Sequence, residues 1–365
     1  MKPHRLLVAL SALALVAAAC GGGDESADTT EASTTTTSST STTTTVKATT
    51  TTSSTTTTVP APTIRQPLTG APLESEDQIL QRPAMVVKID NNAAAVPNHS
   101  GLGVADIVFE EIVEGRTTRF AAVFHSQDSD VIGPIRSGRT QDINMFMSFN
   151  EPLFVWSGGN GAVTAMIDAS PLINMGPNHA TGYYRGPGRA PHNYYNSTQS
   201  IWSQTPEGHP GPPFQQYHYL EAGEDFPGVA TPGVNVKVGG ENIAWTWNPD
   251  TAKFDRSQRG RDHNDKLTGR IGATNVIVMG VEYRPSPADR RSPEAQTLGE
   301  GPAWVFTGGE VVAGTWKRDS PIFGLEFYDE SGTLIEMQPG NTWIELADVD
   351  DVNGGGVNIL AASAA

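Results

Sequence analysis

Two short polar segments carry the residues best suited to chemistry in this 365-residue chain. The first, residues 132–142, reads IGPIRSGRTQD and places Arg136 and Arg139 beside glycines and a proline. The second, residues 189–195, reads RAPHNYY and contains His192. Guanidinium groups form forked hydrogen bonds to carboxylates and phosphates, and an imidazole held by a neighbour can act as a general acid or base. We predict that these two segments form the walls of one anion-binding cleft.

Further candidates fall at the ends of predicted strands. Asp90 and Asn91 follow a strand predicted over residues 84–90, and Arg119 lies near the start of another, over residues 118–126. In α/β sheets, ligands gather beyond the carboxyl ends of the strands. If the protein is an enzyme, His192 is the predicted acid–base residue and Asp90 its partner. Arg119, Asn91 and Asn193 complete the predicted binding set with the two arginines of the first segment.

A structural interpretation of the same residues stays open. Paired arginines in an acidic protein often neutralise neighbouring carboxylates, here Asp142, Asp130 or Asp90. Ser137 could cap the helix that follows the arginine segment, which would place Arg136 before the helix and Arg139 in its first turn. The run Gly158-Gly159-Asn160-Gly161 lacks the residues of a phosphate-binding loop, so an ordinary turn is favoured there.

Several familiar catalytic motifs are absent from the sequence. It contains no Gly-x-Ser-x-Gly elbow and no His-Glu-x-x-His zinc motif, and its single cysteine, Cys20, is not free for nucleophilic chemistry. Arg261-Asp262-His263-Asn264-Asp265 offers a histidine and a carboxylate, which are too few ligands to predict a metal site, and a polar turn is favoured. We therefore predict no metal and no cofactor, and whether the protein is an enzyme stays undecided at this stage.

The hydrophobic pattern divides the chain into two predicted domains. Over residues 63–215, strands alternate with helical patterns at 141–149 and 162–169, which indicates a mixed α/β domain. Residues 225–350 show strand patterns and little helical periodicity, which indicates a mostly antiparallel β domain. Residues 351–365 are predicted to be a flexible tail. The predicted fold class is thus α+β or α/β in the first half and β in the second.

The N-terminus has the features of an export signal. Lys2 and Arg5 precede the apolar run Leu6–Ala19, which is too short to span a bilayer. Ala17-Ala18-Ala19-Cys20 resembles the processing site of bacterial lipoproteins, although Ala17 stands where leucine is usual. Residues 1–20 are therefore predicted to be a lipoprotein signal peptide ending at a lipidated Cys20. An ordinary signal peptide with a chance cysteine is the alternative.

Residues 21–62 are predicted to be a disordered tether. They consist mainly of threonine and serine, with too little apolar surface to offset the entropy of ordering. A flexible coil of this length would hold the folded part roughly 30–40 Å from the bilayer. The predicted location is the outer face of the bacterial cytoplasmic membrane, where two acyl chains give durable attachment.

Net charge excludes one class of partner. The chain carries 24 Lys and Arg against 40 Asp and Glu, a formal charge of −16. Such a surface repels the phosphate backbone of nucleic acids. The predicted partners are instead the membrane, through Cys20, and peptidoglycan or another anionic wall polymer, or an envelope protein.

The motifs taken together resemble one family, DUF3048. The residues that carry the resemblance to its N-terminal domain are Ile89-Asp90-Asn91, Gly115–Phe120, Ile132–Arg139 and Pro191-His192-Asn193. Those similar to its C-terminal domain are Arg261–Asp265, Asn275–Val278, Gly314–Arg318 and Gly340–Ile344. The resemblance implies a two-domain bacterial lipoprotein and implies no reaction, since the family is named for its unknown function.

Three functions remain open from the sequence. The leading hypothesis is a binding or accessory protein of the cell envelope with an anion-binding cleft. The second is a hydrolase or transferase acting on an anionic wall polymer. The third is a protein-interaction module that regulates an envelope enzyme through the tryptophan-bearing β domain.

Overall fold

The strands of the protein are rich in β-branched and aromatic residues, which favour the pleated, half-buried surface of a sheet. The computed structural model describes residues 63–362. The predicted signal peptide, Cys20 and the predicted tether lie outside the described residues. Within the part that is described, no helix is long and apolar enough to cross a membrane.

The strands differ in length from two to nine residues. In chain order they are β1 (Ile64–Arg65), β2 (Pro72–Leu73), β3 (Met85–Asp90), β4 (Ile107–Ile112), β5 (Thr118–Phe124), β6 (Leu153–Val155), β7 (Ile173–Asn174), β8 (Tyr184–Arg185), β9 (Tyr194–Tyr195), β10 (Val229–Ala230), β11 (Gly233–Val238), β12 (Glu241–Asn248), β13 (Lys253–Gln258), β14 (Arg261–Asp262), β15 (Asn264–Asp265), β16 (Gly269–Arg270), β17 (Gly272–Ala273), β18 (Asn275–Val281), β19 (Tyr283–Pro285), β20 (Pro293–Ala295), β21 (Gly299–Thr307), β22 (Glu310–Arg318), β23 (Glu326–Asp329), β24 (Thr342–Asp348) and β25 (Val357–Ile359).

The helices are short. The α-helices are α1 (Gln141–Phe146), α2 (Gly161–Asp168), α3 (Thr198–Trp202) and α4 (Val349–Asp351), the 3₁₀ turns are Glu76–Gln78, Val96–Asn98, Leu102–Val104, Glu114–Arg116 and Met147–Phe149, and a π turn spans Val352–Gly356.

One large sheet organises the molecule. Its strand order is β10-β22-β21-β18-β24-β4-β5-β3-β6-β7, with β23 added beside β22. Strand β24 pairs in parallel with both β18 and β4, so it joins the first half of the chain to the second. The two predicted domains therefore contribute strands to the same sheet.

A smaller sheet covers one face of the large one. It has the order β14-β13-β12-β11-β25, with β17 beside β13. Alternate residues of β3 separate the two faces: Val87 and Ile89 pack with Trp245 and Phe254 of the small sheet, whereas Val86 packs with Phe146 of α1. The core thus lies in two layers, one on each side of the large sheet.

Most predicted strands are present, with bounds shifted by a few residues. The described chain is mostly β with few helices, and this is a coarser description than the mixed α/β domain predicted for residues 63–215. A 3₁₀ turn at Leu102–Val104 precedes β4. Within the predicted tail, β25 pairs with β11 through Val357 and Ile359, β-branched residues suited to an edge strand.

Candidate functional site

The arginine segment and the histidine segment lie side by side. Ile132 N–H donates to the carbonyl of Asn196 at 2.9 Å, and Ile135 N–H donates to that of Tyr194 at 2.5 Å. On its other side the arginine segment is bonded to β3, because Arg136 N–H donates to the carbonyl of Lys88 at 2.8 Å. Both segments are therefore held near the carboxyl end of β3.

Asp90, the last residue of β3, connects the two segments through its carboxylate. Its Oδ2 lies 2.5 Å from His192 Nδ1 and 3.2 Å from Arg136 Nε. The Arg136 contact is an ion pair without an aligned hydrogen bond, since Arg136 Nε has no hydrogen-bond partner. Asn92 N–H donates to the second oxygen, Oδ1, at 3.0 Å. Asp90 is 5% exposed as a side chain, whereas His192 and Arg136 reach solvent at 20% and 27%.

This arrangement fixes the orientation of the His192 ring. An imidazole Nδ1 that faces a carboxylate carries the proton, so the ring presents Nε2 on its other side. Within the described residues, Nε2 makes no hydrogen bond. His192 is thus a partly exposed imidazole with an acidic partner, the arrangement required of a general acid or base.

Arg136 also lines a cavity of about 340 Å³, which we call the Arg136 cavity. Its walls come from both halves of the chain and comprise Glu114, Arg136, Ser137, Arg139, Ser157, Gly158, Gly159, Asn160, Val163, Asp289 and Ser292. His192 and Asp90 do not line this cavity. Asp90 is connected to it by its ion pair with Arg136, and His192 by its contact with Asp90.

Several residues that line this cavity have hydrogen-bond donors without a partner among the described residues. Neither terminal amino group of Arg136 has a partner among residues 63–362, and the same holds for the backbone N–H groups of Gly158 and Gly159. Helix α2 begins directly afterwards, and Asn160 caps it by accepting from Val163 N–H at 3.0 Å. The N-terminus of a helix adds free N–H groups and a positive dipole. This combination suits a phosphate or a carboxylate.

Arg139 lies on the same wall but is already neutralised. Its guanidinium is paired with Glu114, which also accepts from the hydroxyl of Ser292. Partial burial alone would raise the pKa of Glu114, but the hydrogen bonds from Arg139 and Ser292 lower it to about 2. Arg139 therefore offers less attraction to an incoming anion than Arg136.

Arg119 supports the arginine segment through a hydrogen bond to its backbone. It is buried and donates through Nη1 to the carbonyl of Ser137 at 2.9 Å. Burial, together with the charges of Arg139 and Arg136, lowers the pKa of Arg119 to about 10. Arg119 does not line the cavity and supports the arginine segment through this hydrogen bond, and the binding role predicted for it stays a prediction.

Two predicted features of the arginine segment differ in the structure. Ser137 does not cap α1, which begins at Gln141 after Thr140, and Arg139 precedes the helix. Asp142 instead accepts from the N–H of Arg139 at 2.7 Å and stabilises the turn before the helix. Helix α1 has only six residues and is not an anion site.

Asn91 and Asn193 do not contribute to the cavity. Asn91 is fully buried and donates to Glu110, Thr118 and Gln258, because the residue after Asp90 points to the opposite face of the sheet. Asn193 accepts from Arg185 at 3.0 Å within its own loop. In this structure both residues bond to their surroundings, and the binding role predicted for them stays a prediction.

Two buried ionic clusters lie on opposite faces of the large sheet. On one face, Lys88 is paired with Glu111 and with Asp142. On the other, Arg256 is paired with Glu110 and lies 3.5 Å from Glu345. All of these side chains are fully buried. They neutralise charge inside the protein and are not open to a ligand.

Sequence reasoning missed part of the cavity. Glu114, Asp289 and Ser292 line it, but the last two belong to a proline-containing loop of the second half, far from the arginines in sequence. The Gly158-Gly159-Asn160 run was recognised as a turn, and it also lines the cavity. The unused N–H groups beside Arg136 are visible only in three dimensions.

The architecture and its single shared sheet place the chain in a class of mostly β proteins built from two sequence modules. Residues 68–210 match the model described as "Protein of unknown function (DUF3048) N-terminal domain", and residues 234–344 match the corresponding C-terminal domain. The chain belongs to the DUF3048 family.

A relative and a solved structure extend this result over most of the chain. The chain is 26% identical over 301 residues to "Putative lipoprotein YerB" of Bacillus subtilis (strain 168), which covers 80% of this chain and 88% of that protein. It is also similar to the crystal structure of YerB from Bacillus subtilis, with a TM-score of 0.69 and 23% identity. That match covers 82% of this chain and all of the other. The structural match shows the fold alone.

Proposed function

We propose that the protein is a lipid-anchored lipoprotein on the outer face of a bacterial cytoplasmic membrane. We further propose that it binds a phosphate or carboxylate group of an anionic envelope polymer in the Arg136 cavity. The lipoprotein part is supported by the Ala17-Ala18-Ala19-Cys20 sequence and by the description of the Bacillus subtilis relative as a putative lipoprotein. The acceptor of the lipid is Cys20, the single cysteine of the chain.

The observation that carries the binding proposal is the set of unused donors around one cavity. The amino groups of Arg136 and the backbone N–H groups of Gly158 and Gly159 lack partners among the described residues, and the N-terminus of α2 follows directly. These donors belong to residues that reach solvent, and the oxygens of an anion can replace the water around them with charge-assisted hydrogen bonds. A cavity of about 340 Å³ accommodates one such group with part of its carrier, near the lower end of the range for small-ligand sites.

The walls opposite Arg136 limit the kind of anion. Glu114 and Asp289 are carboxylates on the same cavity, and each already has an arginine partner, Arg139 and Arg291. A densely charged polyanion lying across the cavity would approach these carboxylates. The geometry therefore favours a single anionic group with neutral or hydroxyl-bearing neighbours.

The test is a titration of the mature full-length protein followed by amide NMR. Glycerol phosphate and acetate are the probes, and N-acetylglucosamine is the neutral control. Saturable shifts at Gly158 and Gly159 are expected with the anions and not with the sugar. Arg136→Ala should weaken the binding at least tenfold, the loss expected for one charged hydrogen-bonding group of about 1.5–3 kcal/mol.

The matched control is Arg284→Ala. Arg284 is an exposed arginine paired with Glu282 and does not line the cavity. The Arg284→Ala substitution removes the same charge from the protein as Arg136→Ala, and it should leave the anion affinity unchanged. Equal affinities of the wild type and the Arg136→Ala variant would overturn the binding proposal.

A second function is favoured by the contact between Asp90 and His192. In a hydrolase or transferase acting on the same polymer, His192 Nε2 would exchange a proton with the reacting group while Asp90 held the ring. The measurement is turnover of wall fragments by the wild type and by His192→Ala. Equal turnover in the two proteins, or none in either, would discard the catalytic function and leave the binding function standing.

A further inference from the structure

A row of hydrogen bonds connects the second half of the chain to the backbone of Asp90. Arg256 Nη1 lies 2.8 Å from His263 Nδ1, and His263 Nε2 lies 2.8 Å from His99 Nδ1. His99 Nε2 lies 2.7 Å from the carbonyl oxygen of Asp90. Arg256, His263 and His99 are fully buried.

The chemistry of the two ends fixes the direction of every bond in the row. A guanidinium only donates, so His263 Nδ1 accepts from Arg256 and the proton of His263 lies on Nε2. That Nε2–H donates to His99 Nδ1, which leaves the proton of His99 on Nε2. His99 Nε2–H then donates to the carbonyl of Asp90. Both histidines are therefore neutral and carry their proton on the same nitrogen.

A second proton on either ring would break the row, because each Nδ1 is needed as an acceptor. The environment opposes such a proton. Burial lowers the pKa of His99 to about 4, against the raising influence of Asp90. Burial and the charge of Arg256 lower the pKa of His263 well below its ordinary value. The row is thus held in one protonation state at neutral pH.

The row ends at Asp90, whose side chain contacts two residues of the candidate site. The N–H of Asp90 donates to the carbonyl of Pro134 in the arginine segment at 2.9 Å, and its carbonyl accepts from His99. Both backbone polar groups of Asp90 are therefore fixed from outside β3. Its carboxylate contacts His192 and Arg136. Any rotation of the Asp90 backbone would move both contacts.

We propose that His99 and His263 are positioning residues that hold Asp90, and through it His192 and Arg136, from Arg256 in the second half. The functional importance of Asp90 rests on the proposed function. The row of hydrogen bonds itself rests on geometry alone. It assigns a role to His263, which belongs to a different family module from Asp90. The two modules then form one functional unit.

The first test reads the proton positions directly. In mature full-length protein labelled with ¹⁵N-histidine, two-bond proton–nitrogen correlation spectra distinguish a protonated ring nitrogen from a bare one. His99 and His263 should both carry the proton on Nε2 and stay neutral at pH 6. A proton on Nδ1 of either ring, or a doubly protonated ring at that pH, would overturn the proposal without any variant.

The second test compares two substitutions of His263. His263→Gln retains an acceptor for Arg256 and a donor for His99, whereas His263→Phe keeps a flat apolar ring beside Phe120 but has neither group. The readout is the proton resonance of His192 Nδ1–H, which reports its distance to the Asp90 carboxylate. It should be retained in the glutamine variant and shifted or lost in the phenylalanine variant, with glycerol phosphate affinity at least fivefold lower in the latter.

These readouts separate the inference from the proposed function. An unchanged His192 resonance in a folded His263→Phe protein would overturn the positioning role. A second outcome is that the wild type has the expected proton positions and the His192 resonance shifts in His263→Phe, but the wild type binds no anion. This outcome would support the positioning role and discard the binding function. If His263→Phe does not fold, the proton positions in the wild type decide.

Discussion

The Arg136 cavity and the Lys88 cluster both combine a basic side chain with carboxylates, but they differ in exposure to solvent. In the cluster, one lysine is paired with Glu111 and Asp142, and none of the three side chains is exposed. In the cavity, Arg136 is 27% exposed and shares the Asp90 carboxylate with His192. Its amino groups remain unused among the described residues. The capacity to bind a ligand therefore depends on unused donors that reach solvent and not on the presence of charged residues.

Burial also changes the chemistry of the cluster. Desolvation and the neighbouring charge of Asp142 raise the pKa of Glu111 to about 7, although Lys88 opposes the shift. The carboxylate of Glu114 beside the cavity shows the reverse, since its pKa is lowered to about 2. The buried region resists charge, and the open region retains it. The following predictions separate the two regions, beginning with the largest effect.

The largest expected effect is the loss of the buried cation. Lys88→Met removes the partner of two buried carboxylates and should lower the free energy of unfolding by about 3–5 kcal/mol, as when one partner of a buried ion pair is removed. Urea unfolding of the full-length chain measures the change. Arg136→Ala should cost less than about 1 kcal/mol, because its group is partly exposed. Similar losses in both variants would remove the distinction between the two regions.

A smaller effect is expected from acid. Burial lowers the pKa of His125 to about 4, so the folded state keeps it neutral while the unfolded state gains a proton below its ordinary pKa of about 6.5. Stability is therefore lost as the pH falls from about 6.5 to 4, at up to about 1.4 kcal/mol per pH unit for this group. Glu111 acts in the opposite direction between pH 7 and its unfolded value, since the folded state binds its proton first.

The contribution of His125 is isolated by His125→Gln. The glutamine can still donate to the carbonyl of Leu80, which His125 Nε2 contacts at 3.0 Å. The free energy of unfolding, measured in urea at pH 7 and at pH 5, should fall less on acidification in the variant than in the wild type. Parallel losses in the two proteins would contradict the buried neutral state of His125.

The smallest effect on stability is expected at the edge of the cavity. Glu114→Gln breaks a partly exposed pair with Arg139 and should change the free energy of unfolding by less than about 1 kcal/mol. It also frees the charge of Arg139 on the cavity wall. The affinity for glycerol phosphate, measured by the same NMR titration, should rise severalfold. A lower affinity would show that Glu114 contributes to binding and does not merely neutralise Arg139.

Much of the fold was predictable from local pattern, and the closure of the site was not. The run Met85–Asp90 and the run Asn275–Val281 are apolar and β-branched, so their strands follow from sequence. The neighbourhood of Asp90, Arg136 and His192 was predicted from their places in loops at strand ends. Asn91 looked equivalent to Asp90, but the two-residue period of a strand sends it to the opposite face.

The remaining features depend on contacts that are distant in sequence. The pairing of Arg139 with Glu114, and the row from Arg256 through His263, each join residues whose spacing carries no signal. His263 had been considered as a metal ligand or part of a turn, and its buried position between Arg256 and His99 is set by the packing of the two sheets. Such contacts require the three-dimensional structure.

The position of β24 has a consequence for how the polypeptide is completed. Strand β4 pairs with β5 on one side and with β24 on the other. These two partner strands are separated by more than two hundred residues of chain. A nascent molecule that stops short of residue 342 leaves the edge of β4 open, with unpaired amide and carbonyl groups that can associate with other chains. β24 is therefore the last strand of the large sheet to be synthesised, although it lies in the middle of the strand order. Until β24 has been synthesised, β4 lacks its second partner strand. We expect the unfinished chain to need protection from aggregation during this time.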